Sequence, residues 1–133
     1  MTLNDLRPRF EALPIQRQIA FAASCCERML PNYVAFSRIE KWGDPDLLRR
    51  SLDEVWYFLR GRPLSTNRME RLAAQCYCVI PHTEDFGSAL ASAALDAAIS
   101  VTLTLEACAN PGFENPVEVA RNARDTVDMF VHH

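Results

Sequence analysis

Five cysteines, three histidines and a handful of arginines and aspartates are the side chains of this 133-residue chain best suited to chemistry. Cys25 and Cys26 are adjacent, Cys76 and Cys78 are one residue apart, and Cys108 stands alone. His82 is the single histidine away from the His132 and His133 pair. A zinc site needs four converging ligands, usually from Cys-x-x-Cys and His-x-x-x-His spacings. On a helix, Cys25 and Cys26 diverge by about 100° and Cys76 and Cys78 by about 200°, so neither pair reaches one ion. A thiolate nucleophile needs a base within reach. His82 could serve Cys76 or Cys78, but no motif frames them, and the cysteines are expected to fill the core as small hydrophobes. The four glycines include no G-x-G pair, and neither a Glu-x-x-His pair nor a nucleophile elbow is present. No catalytic residue, metal or cofactor is expected.

The charged residues bordering apolar faces are the remaining candidates. Asp96 lies inside an Ala-rich stretch, where a carboxylate needs a cation or a hydrogen-bond donor. Arg28 borders the Cys25 and Met29 face, while Glu27 points away from it. Arg49 and Asp53 are four residues apart beside Leu52 and Trp56, and Asp46 and Arg50 form a second such pair. The structural reading is a polar cluster of Arg28, Arg49, Arg50, Asp53 and Asp96, in which Asp96 ties helices together through one of the arginines. The functional reading makes the same cluster the lining of a small-ligand pocket.

The elements that must position these residues are helices. Apart from Pro8, within the expected first helix, the prolines fall at positions 14, 31, 45, 63, 81, 111 and 116, where helices start or stop. Periodicity predicts a short helix over 3 to 12 and a second from Ile15 to Leu30, with Phe21, Ala22, Cys25, Cys26, Met29 and Leu30 on its buried arc. Pro31, Asn32 and Tyr33 are the expected joint into a third helix that stops at Trp42 and Gly43. Asp44 as N-cap, Pro45 at the first helical position and Gly61 past the end frame the next. Ser65 or Thr66 caps a helix to about Val79, a loop follows, and residues 88 to 109 form a helix apolar nearly all round. Asn115 and Pro116 open the last. The fold class is all-α: a single domain over 1 to 133, an irregular bundle of about six helices around the Ala-rich helix 88 to 109.

Composition bounds the function. The net charge of −3 leaves no basic footprint for nucleic acid, and no apolar leader follows a basic start. Residues 1 to 83 carry 12 Arg and Lys against 9 Asp and Glu, and residues 84 to 133 carry 2 against 8. The second half is therefore acidic, which suits a charge-complementary protein partner as well as a solvated surface. The apolar run over 89 to 105 has Asp96 at its centre and is rich in Ala, Ser and Thr, so a buried helix is expected and no membrane span. An odd number of cysteines in such spacings fits a reducing cytoplasm.

Cys26-Glu27-Arg28-Met29, Pro31-Asn32-Tyr33 with Phe36, Arg49-Arg50-x-Leu52-Asp53-x-x-Trp56, Ile80-Pro81 with Asp85-Phe86, and Leu95-Asp96-Ala97 together resemble the bacterial domain of unknown function 416 family. The resemblance runs in order over roughly residues 20 to 131. It implies an α-helical cytoplasmic bacterial protein with no catalytic residues to carry over, and typical members continue into a further C-terminal helical segment. The expected function is a non-catalytic interaction module with a protein partner, either regulatory or signalling, or an immunity protein neutralising a cognate toxin. A small-ligand binder or enzyme using the Arg and Asp cluster is the competing class. A homodimer through the last helix is compatible with either.

Overall fold

A computed structural model describes residues 8–63, 65–110 and 115–132, with side chains to Arg124. Residues 8–11 are helical and residue 12 is a turn; residues 3–7 of the expected first helix lie outside the described residues. Five longer helices follow: α1 (Ile15–Glu40), α2 (Pro45–Leu59), α3 (Thr66–Tyr77), α4 (Ala91–Ala109) and α5 (Asn115–His132). A single 3₁₀ turn, Thr83–Asp85, sits in the loop before α4. No strand occurs among the described residues, and the fold is an all-α bundle.

The expected joint at Pro31, Asn32 and Tyr33 is not a joint. α1 runs without a break over 26 residues with Pro31 inside it. Proline removes one backbone donor and crowds the carbonyl four residues back, a cost of about 3 kcal/mol. Pro31 is exposed, so the Glu27 carbonyl that loses its partner faces water. Against this cost stands continuous burial on the other face: Ile19, Ala22, Cys26 and Met29 before the proline and Tyr33 and Phe36 after it are all at most 2% exposed. Burial of each large apolar side chain contributes roughly 1.5–3 kcal/mol, so several on each side outweigh one lost bond. α1 ends as Lys41 enters the left-handed region at φ 53° and its N–H returns to the Ser37 carbonyl.

The cap chemistry at the other ends is that expected. Asp44 Oδ1 accepts from the Leu47 N–H at 3.0 Å, and Ser65 Oγ accepts from the Arg68 N–H at 3.1 Å. Gly43 and Gly61 take positive φ at 91° and 92°. Only Gly43 is also sterically bound to its identity, because a Cβ there would overlap the Tyr33 hydroxyl.

α4 is the axis of the bundle and packs against α1, α2, α3 and α5. Its alanines at 91, 94, 97, 98 and 107 are buried and let these neighbours approach closely. The helix is long and apolar enough by composition to cross a bilayer, but 67% of that window is buried inside the fold, as in the core helix of a globular domain.

Candidate functional site

Of the predicted polar cluster, the structure assembles a part, with a different centre. Arg49 on α2 donates to Glu27 on α1 through both arms of its guanidinium, Nη1 to Oε2 at 2.8 Å and Nη2 to Oε1 at 2.6 Å. The same Nη2 and the Nε reach Asp53 Oδ1 at 2.8 and 3.1 Å, and the Trp56 indole N–H donates to Glu27 Oε1 at 3.0 Å. Glu27, expected to point away, is thus the acceptor that ties α1 to α2. Its carboxyl is held below its ordinary value, first by the Arg49 hydrogen bonds and then, against desolvation, by Trp56. Arg49 is correspondingly raised by Glu27.

Arg28 and Arg50, placed in the cluster from sequence, are exposed, and Arg50 Nε reaches the Asp46 carbonyl at 3.4 Å. Asp96 is half-buried on α4 and takes part in a polar or electrostatic interaction. Glu27 is read as pointing away because the expected arc of α1 is centred on Cys25 and Met29 and includes Phe21, which is 47% exposed and stacks edge-on against Phe10 at 5.4 Å. The true arc through Ala23 and Leu30 carries Glu27 with it, four residues after one and three before the other. Arg49 and Glu27 are 40% and 36% exposed, so this network is a half-solvated strut already satisfied by its own members.

The thiols divide sharply. Cys25, Cys26, Cys76 and Cys108 are buried, and Cys78 is exposed. Burial pushes Cys26 and Cys108 up to about 12 and raises Cys25 and Cys76. Cys26 meets the Thr104 hydroxyl at 3.4 Å and Cys76 the Ser51 hydroxyl at 3.3 Å. Neutral thiols in an apolar interior make poor nucleophiles. Among the described residues no three His, Cys, Asp or Glu side chains are grouped to hold a metal, and every buried side-chain polar atom has a partner.

An open groove of about 710 Å³ lies beside α4. Its floor is Leu95, Ile99, Leu103 and, at the far end, Glu106; Thr102 completes the α4 side. Tyr77, at the last turn of α3, and His82, in the loop beyond, also line it, with Trp42, Cys78, Ile80 and Pro81. Tyr77 is 71% exposed, an unusual position for a large aromatic side chain.

The wall is held from behind. Tyr33 on α1 donates its hydroxyl to the Val79 carbonyl at 2.8 Å and accepts from the Asp44 N–H at 3.2 Å. Trp42 packs against Phe86 at 5.3 Å and Phe36 at 6.2 Å, and Phe36 meets Phe86 edge-on at 5.0 Å. Cys78 and His82 share this groove, and the exposed Cys78 is not buried with the other four thiols. Sequence reasoning misses the groove, because in a helix apolar nearly all round the half-exposed Leu95, Ile99 and Leu103 look the same as buried neighbours. The single signal is Tyr77, an aromatic beyond the Met69, Ala73 and Cys76 stripe of α3.

Comparison with known proteins finds relatives of this chain. The family model described as protein of unknown function (DUF416) matches residues 5–133. The uncharacterized protein YjaG of Escherichia coli is 30% identical over 134 residues, covering 98% of this chain and 66% of the relative. An uncharacterized protein of Haemophilus influenzae is 28% identical over 96% of this chain and 66% of its own length. The crystal structure of a DUF416 family protein from Shewanella baltica superposes with a TM-score of 0.84 at 26% identity, covering 94% of this chain and 64% of that one. The chain spans just under two thirds of the length of these relatives.

Proposed function

The chain belongs to the DUF416 family of proteins of unknown function, and from that premise we propose that it is a non-catalytic interaction module of the bacterial cytoplasm. It binds a protein partner through the groove between α4 and the segment from Tyr77 to His82. The observation that carries this reading is the groove itself: apolar along α4, preformed, and flanked by the exposed ring of Tyr77. Aromatic anchors at the edge of an apolar cleft are the usual carriers of binding energy between proteins. The Arg49 network does not compete for the role, since its donors and carboxylates are spent on one another. Regulatory, signalling and toxin-neutralising roles all belong to this class and differ in the partner.

The test compares the wild-type chain with Tyr77→Asp as bait in the native host's lysate. A stoichiometric partner retained by the wild type, lost by the variant and shielding Cys78 from thiol labelling is the expected result. The same proteins on both baits, or none on either, would sink the proposal.

A further inference from the structure

The groove's geometry also carries information about its occupant: we infer that it receives a basic amphipathic helix of about three turns presented by another protein. This rests on the interaction reading above and adds the partner's shape and charge. Leu95, Ile99, Leu103 and Glu106 follow one another at intervals of four, four and three residues, so they lie in one row along α4. At 1.5 Å per residue the row is about 17 Å long. Its three apolar members are half-buried and Glu106 is exposed. A straight apolar row with a raised wall on one side matches the face of a second helix bearing anchors at every third or fourth residue.

Charge selects the sign of that helix. The groove lining contains one carboxylate, Glu106, and no lysine or arginine. Glu70 stands with Glu106 at the adjoining pocket. A row of lysines or arginines flanking the apolar face of the partner would meet these groups and speed encounter. A second copy of this chain fits worse. A two-fold contact sets the same patch against itself, so groove on groove would offer no lysine or arginine from either lining to the other copy's Glu106.

The experiment titrates the purified chain with two synthetic helices of about 18 residues, one of Leu and Lys and one of Leu and Glu on the same amphipathic pattern, and follows the rate of Cys78 labelling. The Leu and Lys helix is expected to slow labelling at least about tenfold at saturation, and the Leu and Glu helix to leave it unchanged. Its affinity should fall about threefold in Glu106→Gln, the effect of one solvated ion pair. The fall should be about tenfold in Tyr77→Ala, an anchor removed. Thermal melting of both variants checks that they are folded. Equal protection by the two helices would keep the docking groove and overturn the basic partner. No protection by either, or wild-type binding by Tyr77→Ala, would overturn both readings. A dimer that shields Cys78 without peptide would assign the groove to a second copy and also overturn the inference.

Discussion

Arg49 grips Glu27 with two parallel donors at 2.6 and 2.8 Å, so the first two helices of the bundle are joined by a bidentate ion pair instead of by apolar contacts alone. Trp56 and Asp53 complete its hydrogen bonding from the same helix, α2.

The pair makes stability fall in acid. Glu27 is lowered from its ordinary 4.5 by Arg49, so its contribution is fully present above that value and is lost as pH falls through the lowered one. Because both partners are more than a third exposed, the contribution is modest, about 0.5–1 kcal/mol. Glu27→Gln should lose about that much at pH 7 and show a shallower decline below pH 5. Urea melts of both proteins between pH 3 and 7 measure it, and parallel curves would contradict the assignment.

At the alkaline end the thiols act in the opposite sense. Cys25, Cys26, Cys76 and Cys108 are raised above 9 by burial, so the stability they lend is complete below pH 9 and is lost as pH rises from there toward about 12. The native protein should show one thiol, Cys78, reacting rapidly with a disulfide reagent at pH 8, and all five once denatured. Two or more fast thiols in the native state would refute this burial pattern.

Pro31→Ala should stabilise the protein. The substitution restores a backbone donor for the Glu27 carbonyl in the middle of an intact helix, at an exposed position. A gain of about 1–3 kcal/mol is expected from the helix cost of proline. Thermal unfolding reads it directly, and an unchanged or lower Tm would mean that the proline shapes α1 in a way the packing requires.

Gly43→Ala should cost about 2–4 kcal/mol, combining a left-handed φ of 91° with overlap of the new Cβ and the Tyr33 hydroxyl. Tyr33→Phe removes that hydroxyl at a cost of about 1–2 kcal/mol, since the Val79 carbonyl loses its donor. In the double variant the worst overlap goes with the oxygen, leaving a tight 3.0 Å approach to the ring carbon that bore it, and the combined loss should be less than the sum of the two separate losses. Additive losses in denaturant melts would show that the contact is not what restricts residue 43.

Much of the fold is legible in the residue pattern, and the exceptions have physical causes. The Asp44, Pro45 and Ser65 signals act locally, and they lie where the structure has them. Pro31 misleads because a local rule, that proline ends helices, is overridden by buried side chains on both sides of it. Glu27 is missed for a related reason: which edge of the α1 arc meets α2 is set by tertiary packing, and the Arg49 and Trp56 donors that reach it come from another helix. The central place of α4 follows from its alanines. The groove beside it does not, since an apolar helix surface carries no mark of which neighbours stop short of covering it.

The Tyr33 hydroxyl bears on how the groove could work. One oxygen fastens the middle of α1 to the Val79 carbonyl behind the groove wall and to the Asp44 amide at the start of α2. The Tyr77 to His82 segment therefore owes its position to a tether already in place. Little conformational entropy is left for an occupant to remove, so more of the contact energy is retained as affinity. The same tether sets a limit on tolerance: a partner of the wrong width meets a wall that can yield only by breaking a hydrogen bond shared by three segments of the chain.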